Sequence, residues 1–369
     1  MKSDRLFYID NLRIFLISLV VLHHLAITYG APGSWYYNES AVGLPEILPM
    51  SMFVASNQSF FMGFFFFISA FFIMPSLNQK GVKQFVADRA TRLGLPLFFF
   101  SFLLSPLTVF IHHRIVENKP EPFWQYLQHG WGVNVGPLWF VEALILFSAL
   151  FLLFHRRLAA IKMQFPGTAK ILLFALFTGL LQFVIRIWLP VGWSMPYTGF
   201  QFPFFVQYIF LFVLGVVAYQ NNWADAFTLQ LGRRWFLFAQ VMIFIGFPLL
   251  FLKGGDEQAG VAPFMGGFTP QSIGYSLWEQ VTGISLMLGL AGLFKHLFNH
   301  QSTFAHRLSE SAFGVFVFHT PVIVALSAVL SGWHINPLLK FVALSGPALV
   351  LCFGVAWLIK QLPGLKKIF

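Results

Sequence analysis

Apolar stretches of about twenty residues recur along nearly the whole chain, separated by short polar segments. A helix needs about 20 mostly apolar residues to cross the hydrocarbon core of a bilayer. We therefore predict an all-α transmembrane bundle of about ten helices, forming one integral-membrane domain over residues 1–369. The predicted helices centre on residues 12–29, 53–73, 93–112, 137–154, 171–189, 200–219, 236–252, 273–294, 312–330 and 338–359.

Basic residues alternate between the two ends of these helices. One set of flanking segments, which includes Lys2, Arg5, Arg89 and Arg92, contains 18 of the 23 Lys and Arg residues, and the opposite set contains 5. Because Lys and Arg collect on the cytoplasmic side of short loops, we predict that both termini are cytoplasmic. An odd number of helices would destroy this alternation. The first apolar run is not followed by a small-residue cleavage site, so we expect a retained helix and not a signal peptide.

Composition excludes several classes of protein. Hydrophobic residues make up 57% of the chain and charged residues 10%, whereas soluble domains are about one quarter charged. The net charge of +10 is dispersed over many loops, which indicates membrane topology and anionic lipid and not nucleic acid. The lone cysteine, Cys352, excludes disulfide frameworks and cysteine metal sites. We expect no metal site and no permanently bound cofactor.

Ionisable residues inside the predicted helices are the first candidates for function, because each costs roughly 2.5–3.5 kcal/mol to insert. Arg13 and His24 lie eleven residues apart in the first helix. Eleven residues make about three turns and rise about 16 Å, so both side chains share one face. Asp10 is close enough in sequence to pair with Arg13. His24 is either functional or a neutral histidine hydrogen-bonded within the bundle, as its neighbour His23 could be.

A second group of polar residues falls at a depth similar to that of His24. It consists of Glu142, Gln182, Arg186 and Glu279, from three further helices. Polar groups that converge in depth predict a hydrated pocket. Paired structural charges would produce the same sequence pattern.

Two further features have both a functional and a structural interpretation. Arg89 and Arg92 lie three residues apart and could clamp phosphate oxygens, although positive-inside topology alone also places arginines there. His319 is followed by Thr320 and Pro321. A proline frees a backbone carbonyl in the membrane, and the resulting kink either lines a cavity or reflects packing.

These pieces, in this order, resemble the integral-membrane acyltransferase family 3. The first helix, YIDNLRIFLISLVVLHH, has the family's arginine and histidine separated by ten residues. Ala70 departs from the family, which often has glycine after the serine at this point. Within the family the chain is most similar to the glucan biosynthesis protein C branch. Other matching segments are SFFMGFFFFISAFF, DRATRLGLPLF, GPLWFVEALILF and SESAFGVFVFHTPV.

The resemblance implies a multi-pass enzyme of the bacterial inner membrane. It would transfer an acetyl or succinyl group from cytoplasmic acyl-CoA, a donor substrate, to a hydroxyl of an extracytoplasmic glycan such as a periplasmic glucan. We predict that His24, Arg13 and Glu142 are catalytic. The predicted substrate-binding residues are Asp10, Arg89, Arg92, Trp139, Arg186, Glu279 and His319.

Transfer would be either direct, with His24 as the base, or through a covalent intermediate on His24 or Ser69. The alternative function is a transporter or flippase for a glycolipid or a small anion, because intramembrane charges are also typical of transporters.

Overall fold

The computed structural model of the protein describes residues 6–39, 43–254 and 261–368. Within them it contains ten helical spans long and apolar enough to cross a membrane, and no strand. The predicted all-α transmembrane class is therefore confirmed. Lys2 and Arg5, used to predict the orientation, lie outside the described residues. The spans, numbered first to tenth, are Phe7–Thr28, Pro45–Phe71, Ile73–Ile115, Gly136–Ala159, Thr168–Arg186, Phe202–Gln220, Leu229–Leu252, Pro270–Leu297, Thr303–Val329 and Pro337–Lys360.

Prolines divide the third and seventh spans into shorter helices. The third consists of Ile73–Arg89, Leu95–Phe99 and Ser105–Ile115, joined by π-helical turns, and the seventh has one such turn between Leu229–Val241 and Phe247–Gly254. Each π-helical turn ends two residues before a proline. Proline lacks an N–H and crowds the carbonyl four residues earlier, which widens the helix locally. The prolines are Pro96, Pro106 and Pro248.

The second span is broken at residues 59 and 60, between helices Leu44–Gln58 and Phe61–Phe71. A broken helix inside a bilayer leaves backbone groups that need partners. The Ser59 carbonyl accepts a hydrogen bond of 2.7 Å from Gln207 Nε2 of the sixth span. Gly283 of the eighth span permits this approach, because a Cβ there would lie 1.9 Å from the Ser59 oxygen. Three spans are thus joined at the break.

Small residues also set the contact between the second and sixth spans. A Cβ on Gly215 would lie 2.4 Å from the Phe67 oxygen and 2.8 Å from the Ala70 Cβ. Close helix packing in membranes depends on such small residues. At Ala70, where the family often has glycine, the close approach is therefore made possible by the glycine of the opposite helix.

Because the chain crosses the bundle ten times, the first span begins and the tenth span ends at the same face of the bundle. We call this the inner face, which the sequence predicts to be cytoplasmic, and its opposite the outer face. At the inner face Asn11 Nδ2 donates to the carbonyls of Phe298 and His300, at 2.7 and 2.8 Å. These bonds tie the first span to the loop between the eighth and ninth. The outer face carries the segment of residues 29–39, called the first outer loop below.

Candidate active site

A cavity of about 650 Å³ lies in the outer half of the bundle. His23 and His24 of the first span form part of its wall, together with Gln58 of the second. The outer loops that follow the first, third and fifth spans supply much of the remainder. Other lining residues are Trp35, Tyr36, Asn134, Val135, Pro137, Trp139, Val191, Ser194, Met195, Tyr197, Gln201, Phe204, Tyr275 and Phe316.

His24 is paired with a second histidine, His319 of the ninth span. Nε2 of His319 lies 3.1 Å from Nδ1 of His24, and the ring centroids are 5.0 Å apart. His319 is fully buried, whereas His24 is partly accessible from the cavity. His319 thus lies behind His24 and is not among the residues that line the cavity, which favours the packing interpretation of the segment around Pro321.

The hydrogen bonds of this pair determine which nitrogens carry protons. Nδ1 of His319 lies 2.8 Å from the Phe316 carbonyl, which can only accept, so this nitrogen holds the hydrogen. In a neutral ring Nε2 then accepts, and it takes the hydrogen of His24 Nδ1. The lone pair of His24 therefore resides on Nε2. A histidine held in one tautomer beside a cavity can act as a general base.

The first outer loop covers one face of the His24 ring. The Trp35 indole stacks on the His24 ring, with centroids 4.0 Å apart and planes inclined by 16°. Its Nε1 is buried and has no hydrogen-bond partner among the described residues. Next to it, Tyr36 donates to Asn134 Oδ1 at 2.8 Å. Burial raises the pKa of Tyr36 to about 12, so its hydroxyl remains a donor at neutral pH.

An ion pair fixes the far end of this loop. Lys340 of the tenth span is 1% exposed and lies 2.5 Å from Glu39. It also donates to the Leu330 carbonyl at 2.8 Å. The backbone N–H of Glu39 bonds to the Thr28 carbonyl at 2.8 Å. The loop that brings Trp35 to His24 is thus attached at its end to two spans.

Arg13 lies nearer the inner face, as the eleven-residue spacing predicts. Its guanidinium is 3.5 Å from the Asp10 carboxylate, which confirms the expected pair. It also lies over the Phe72 ring, 5.3 Å from the centroid. The Arg13 side chain is 38% exposed and that of Asp10 is 16% exposed. Neither residue lines the cavity around His24.

The second polar group does not form the expected hydrated pocket with His24. Arg186 and Glu279 are 0% and 1% exposed and lie 2.5 Å apart. Gln182 also donates to Glu279, and Arg186 bonds to Ser276 and to the Pro203 carbonyl. Gln182, Arg186 and Glu279 lie at the same level of the bundle because the fifth, sixth and eighth spans pack against one another through this ion pair. A buried charge needs such a partner.

Trp139 and Glu142 occupy the start of the fourth span. Trp139 lines the cavity and stacks on Tyr208, with ring centroids 5.6 Å apart. Glu142 does not line it, although its Oε2 is buried without a hydrogen-bond partner among the described residues. Of these two predicted site residues, only the tryptophan lines the cavity.

Arg89 and Arg92 lie where the third span leaves the inner face. Arg89 is half-buried and its Cζ is 5.2 Å from the Phe85 ring centroid, whereas Arg92 is exposed on a π-helical turn. They lie near the inner face, whereas the cavity lies in the outer half of the bundle.

Comparison with known proteins decides the family. The model of a family described as "Acyltransferase domain" matches residues 6–357. The chain belongs to this acyltransferase family. Proteins named "Glucans biosynthesis protein C" are similar over 100% of this chain: one from Salmonella schwarzengrund is 23% identical over 95% of its own length, and one from Escherichia coli O1:K1 is 23% identical over 94%. No solved structure matches the chain.

The acyltransferase has site residues that the sequence pattern did not single out. Trp35 belongs to a cluster of aromatic residues typical of a membrane interface, yet it packs on His24. Gln58 lines the cavity and bonds to the Tyr208 hydroxyl at 3.1 Å. In sequence, Lys340 was only one of the five basic residues at the outer ends of the predicted helices. One feature of the sequence could have pointed to the first outer loop as part of the site. Residues 30–52 form a long outer segment that is rich in aromatic residues and contains no Lys or Arg.

We expect His319→Leu to lower acyl transfer by about 100-fold or more, because the variant removes the acceptor that fixes the His24 tautomer. His319→Gln keeps an acceptor oxygen and should lose less. The measurement is kcat for both variants, at equal amounts of folded protein. Equal losses in the two variants would show that His319 contributes packing and not a hydrogen bond.

Proposed function

We propose that this acyltransferase transfers an acetyl or succinyl group from cytoplasmic acyl-CoA to a glycan hydroxyl on the outer side of the bacterial inner membrane. The observation that carries the proposal is the pair His24–His319, which leaves an unprotonated His24 nitrogen at the wall of an outer-face cavity. Acyl transfer to an alcohol needs such a base.

The reaction is a direct transfer. His24 Nε2 removes the proton of the acceptor hydroxyl while its oxygen attacks the thioester carbonyl. The tetrahedral intermediate collapses, the carbon–sulfur bond breaks, and the CoA sulfur leaves with the electron pair. The proton on His24 then passes to that sulfur, giving CoA thiol and an ester, and the base is regenerated. No covalent enzyme intermediate is needed.

The indole of Trp35 is placed to assist this step. Its Nε1–H is buried without a partner among the described residues and belongs to a ring stacked on His24. A donor without a partner costs free energy unless something binds it. We propose that it donates to the oxyanion of the tetrahedral intermediate.

Trp35→Phe keeps a stacked ring and removes only this donor. We expect kcat to fall about 10²-fold with little change in KM. Trp333→Phe, at an exposed outer-face tryptophan, is the matched control. An unchanged kcat in Trp35→Phe would assign the indole to packing alone.

The donor approaches from the inner face. CoA carries several negative charges, which cannot enter hydrocarbon, whereas its pantetheine arm is long and thin. Arg89 and Arg92 are placed to hold the phosphates, because guanidinium groups form forked hydrogen bonds with phosphate oxygens. Arg13, about 16 Å from His24 along the first span and paired with Asp10, would guide the arm inward.

The acceptor is proposed to be a glucan. Two observations support this choice: the relatives named "Glucans biosynthesis protein C", and a cavity with several aromatic rings, among them Trp35, Tyr36 and Trp139. Aromatic rings present an apolar face and, in tyrosine and tryptophan, a polar edge, which matches the alternation of apolar faces and hydroxyls on a sugar.

The test uses purified protein in lipid nanodiscs with acetyl-CoA or succinyl-CoA and a periplasmic glucan extract. We expect free CoA to appear only when glucan is present, and the glucan to gain mass by one acyl group per CoA. Arg89→Gln should raise KM for acyl-CoA without affecting KM for glucan. No CoA release with either donor, from folded protein, would favour a transporter of glycolipid or small anions.

A further inference from the structure

Two adjacent histidines and a glutamate meet at the outer end of the third span. His112 Nδ1 lies 3.6 Å from one Glu117 oxygen, and His113 Nε2 lies 3.9 Å from the other. The three ligand atoms all lie within 4.8 Å of one another. From the sequence alone we expect no metal site. Past Ile115, where the helix ends, the N–H groups of Val116 and Glu117 still bond to the His112 carbonyl, and this places the Glu117 carboxylate beside the two histidines.

These separations suit a shared metal ion better than hydrogen bonds. Contacts of 3.6 and 3.9 Å are too long for hydrogen bonds. Two ligands each about 2.1 Å from a tetrahedral zinc ion lie about 3.4 Å apart. Small movements of these side chains would therefore bring all three donors to bonding distance. We propose that His112, His113 and Glu117 bind a divalent transition-metal ion, with zinc as the preferred ion.

The surroundings of His113 support the assignment. Its Nδ1 lies 2.9 Å from the Tyr126 hydroxyl, while its Nε2 faces Glu117. A metal-bound histidine usually has its other ring nitrogen hydrogen-bonded, which fixes the tautomer and the ring orientation. Tyr126 is 1% exposed, so this partner is held firmly in place.

In the structure the Glu117 carboxylate is paired with Lys119, whose Nζ lies 2.7 Å from Glu117 Oε2. The Lys119 side chain is 44% exposed and can move away. Glu121 also attracts Lys119 electrostatically, and its Oε2 is buried without a hydrogen-bond partner among the described residues. The metal ion would replace the ammonium at Glu117, and Lys119 would remain near Glu121.

The site has a place in the architecture of the outer face. The His112 ring packs on Tyr37, with ring centroids 5.0 Å apart, and Tyr37 belongs to the first outer loop. A metal ion bound to His112 would therefore hold in place the ring on which Tyr37 packs, and with it the first outer loop that carries Trp35. The proposal concerns binding and does not rest on the proposed acyl transfer.

Zinc binding is measured by isothermal titration calorimetry on the untagged full-length protein in nanodiscs. We expect about one zinc per chain, with an affinity lowered at least tenfold in His113→Ala and in Glu117→Gln. Tyr126→Phe should lower it about 10–100-fold. His334→Ala, at an exposed histidine elsewhere on the outer face, should retain the wild-type affinity.

Cobalt provides a second measurement that does not depend on heat signals. Co²⁺ bound by two histidines and a carboxylate in near-tetrahedral geometry has visible absorption bands, and zinc should abolish them by displacement. Zinc binding that is as strong in His113→Ala and Glu117→Gln as in the wild type would overturn the proposal. So would the absence of saturable binding near one equivalent.

Discussion

Replacement of His24 with alanine is expected to lower glycan-dependent CoA release by 10²-fold to 10⁴-fold, the range that a positioned general base typically contributes. His24 is the partly accessible member of the histidine pair, and its Nε2 is the nitrogen left with a lone pair. Alanine removes that base and leaves the His319 Nε2 without a donor. Release of CoA and acylation of glucan are followed together, so that hydrolysis by water is distinguished from transfer.

His23 is the matched control for this experiment. It is adjacent in sequence and also lines the cavity, but its ring packs on Phe61 with centroids 5.0 Å apart. Its Nδ1 has no hydrogen-bond partner among the described residues, so nothing there fixes its tautomer. We expect His23→Ala to lower kcat far less than His24→Ala. A folded His24→Ala protein that keeps wild-type turnover would remove the histidine from the mechanism.

The number of spans could be predicted from sequence, because crossing a bilayer imposes a length and an apolar composition that few soluble segments share. Their ends were harder to place. The third span begins at Ile73, although we expected residue 93, and the ninth begins at Thr303, although we expected 312. Helices continue past the hydrocarbon into water, where hydropathy no longer marks them. Gly81, with a φ of +70°, breaks the polar part of the third span.

Within the site, sequence could predict what lies on one helix but not what two helices bring together. The spacing of Arg13 and His24 follows from helix geometry alone. The pairing of His24 with His319 joins residues 295 positions apart and depends on how the first and ninth spans pack. Trp35 could not be predicted as a site residue for a different reason. A tryptophan in an outer loop is typical of a membrane interface, and only the folded loop places it on His24.

For the second polar group, a similar predicted depth could not choose between a pocket and an ion pair. Glu279 accepts from both Gln182 and Arg186, and Gln280 extends the network from Gln182 to Gln207. Each of these side chains has at least one partner inside the bundle, and Oε1 of Glu279 is buried without a hydrogen-bond partner among the described residues. Two opposite charges in contact partly offset each other's cost of burial, so an ion pair accounts for the presence of Arg186 and Glu279 inside the bundle.

Breaking this ion pair is expected to destabilise the protein strongly. Glu279→Gln leaves the Arg186 guanidinium charged and buried, with Ser276 and the Pro203 carbonyl as its remaining polar partners among the bonds described above. Removal of one member of a buried pair typically costs about 3–5 kcal/mol. We therefore expect a lower thermal midpoint for Glu279→Gln in nanodiscs. Lys360→Met, which breaks a partly exposed pair with Glu310, should cost about 1 kcal/mol or less.

The double variant Arg186→Met/Glu279→Leu separates stability from chemistry. Replacement of both members of a buried pair by apolar residues is often nearly neutral, so it should be more stable than Glu279→Gln. If the pair only holds the fifth and eighth spans together, the double variant should also recover acyl transfer. A stable double variant without activity would instead place Arg186 or Glu279 in the reaction, through Tyr275, which lines the cavity 5.5 Å from the guanidinium.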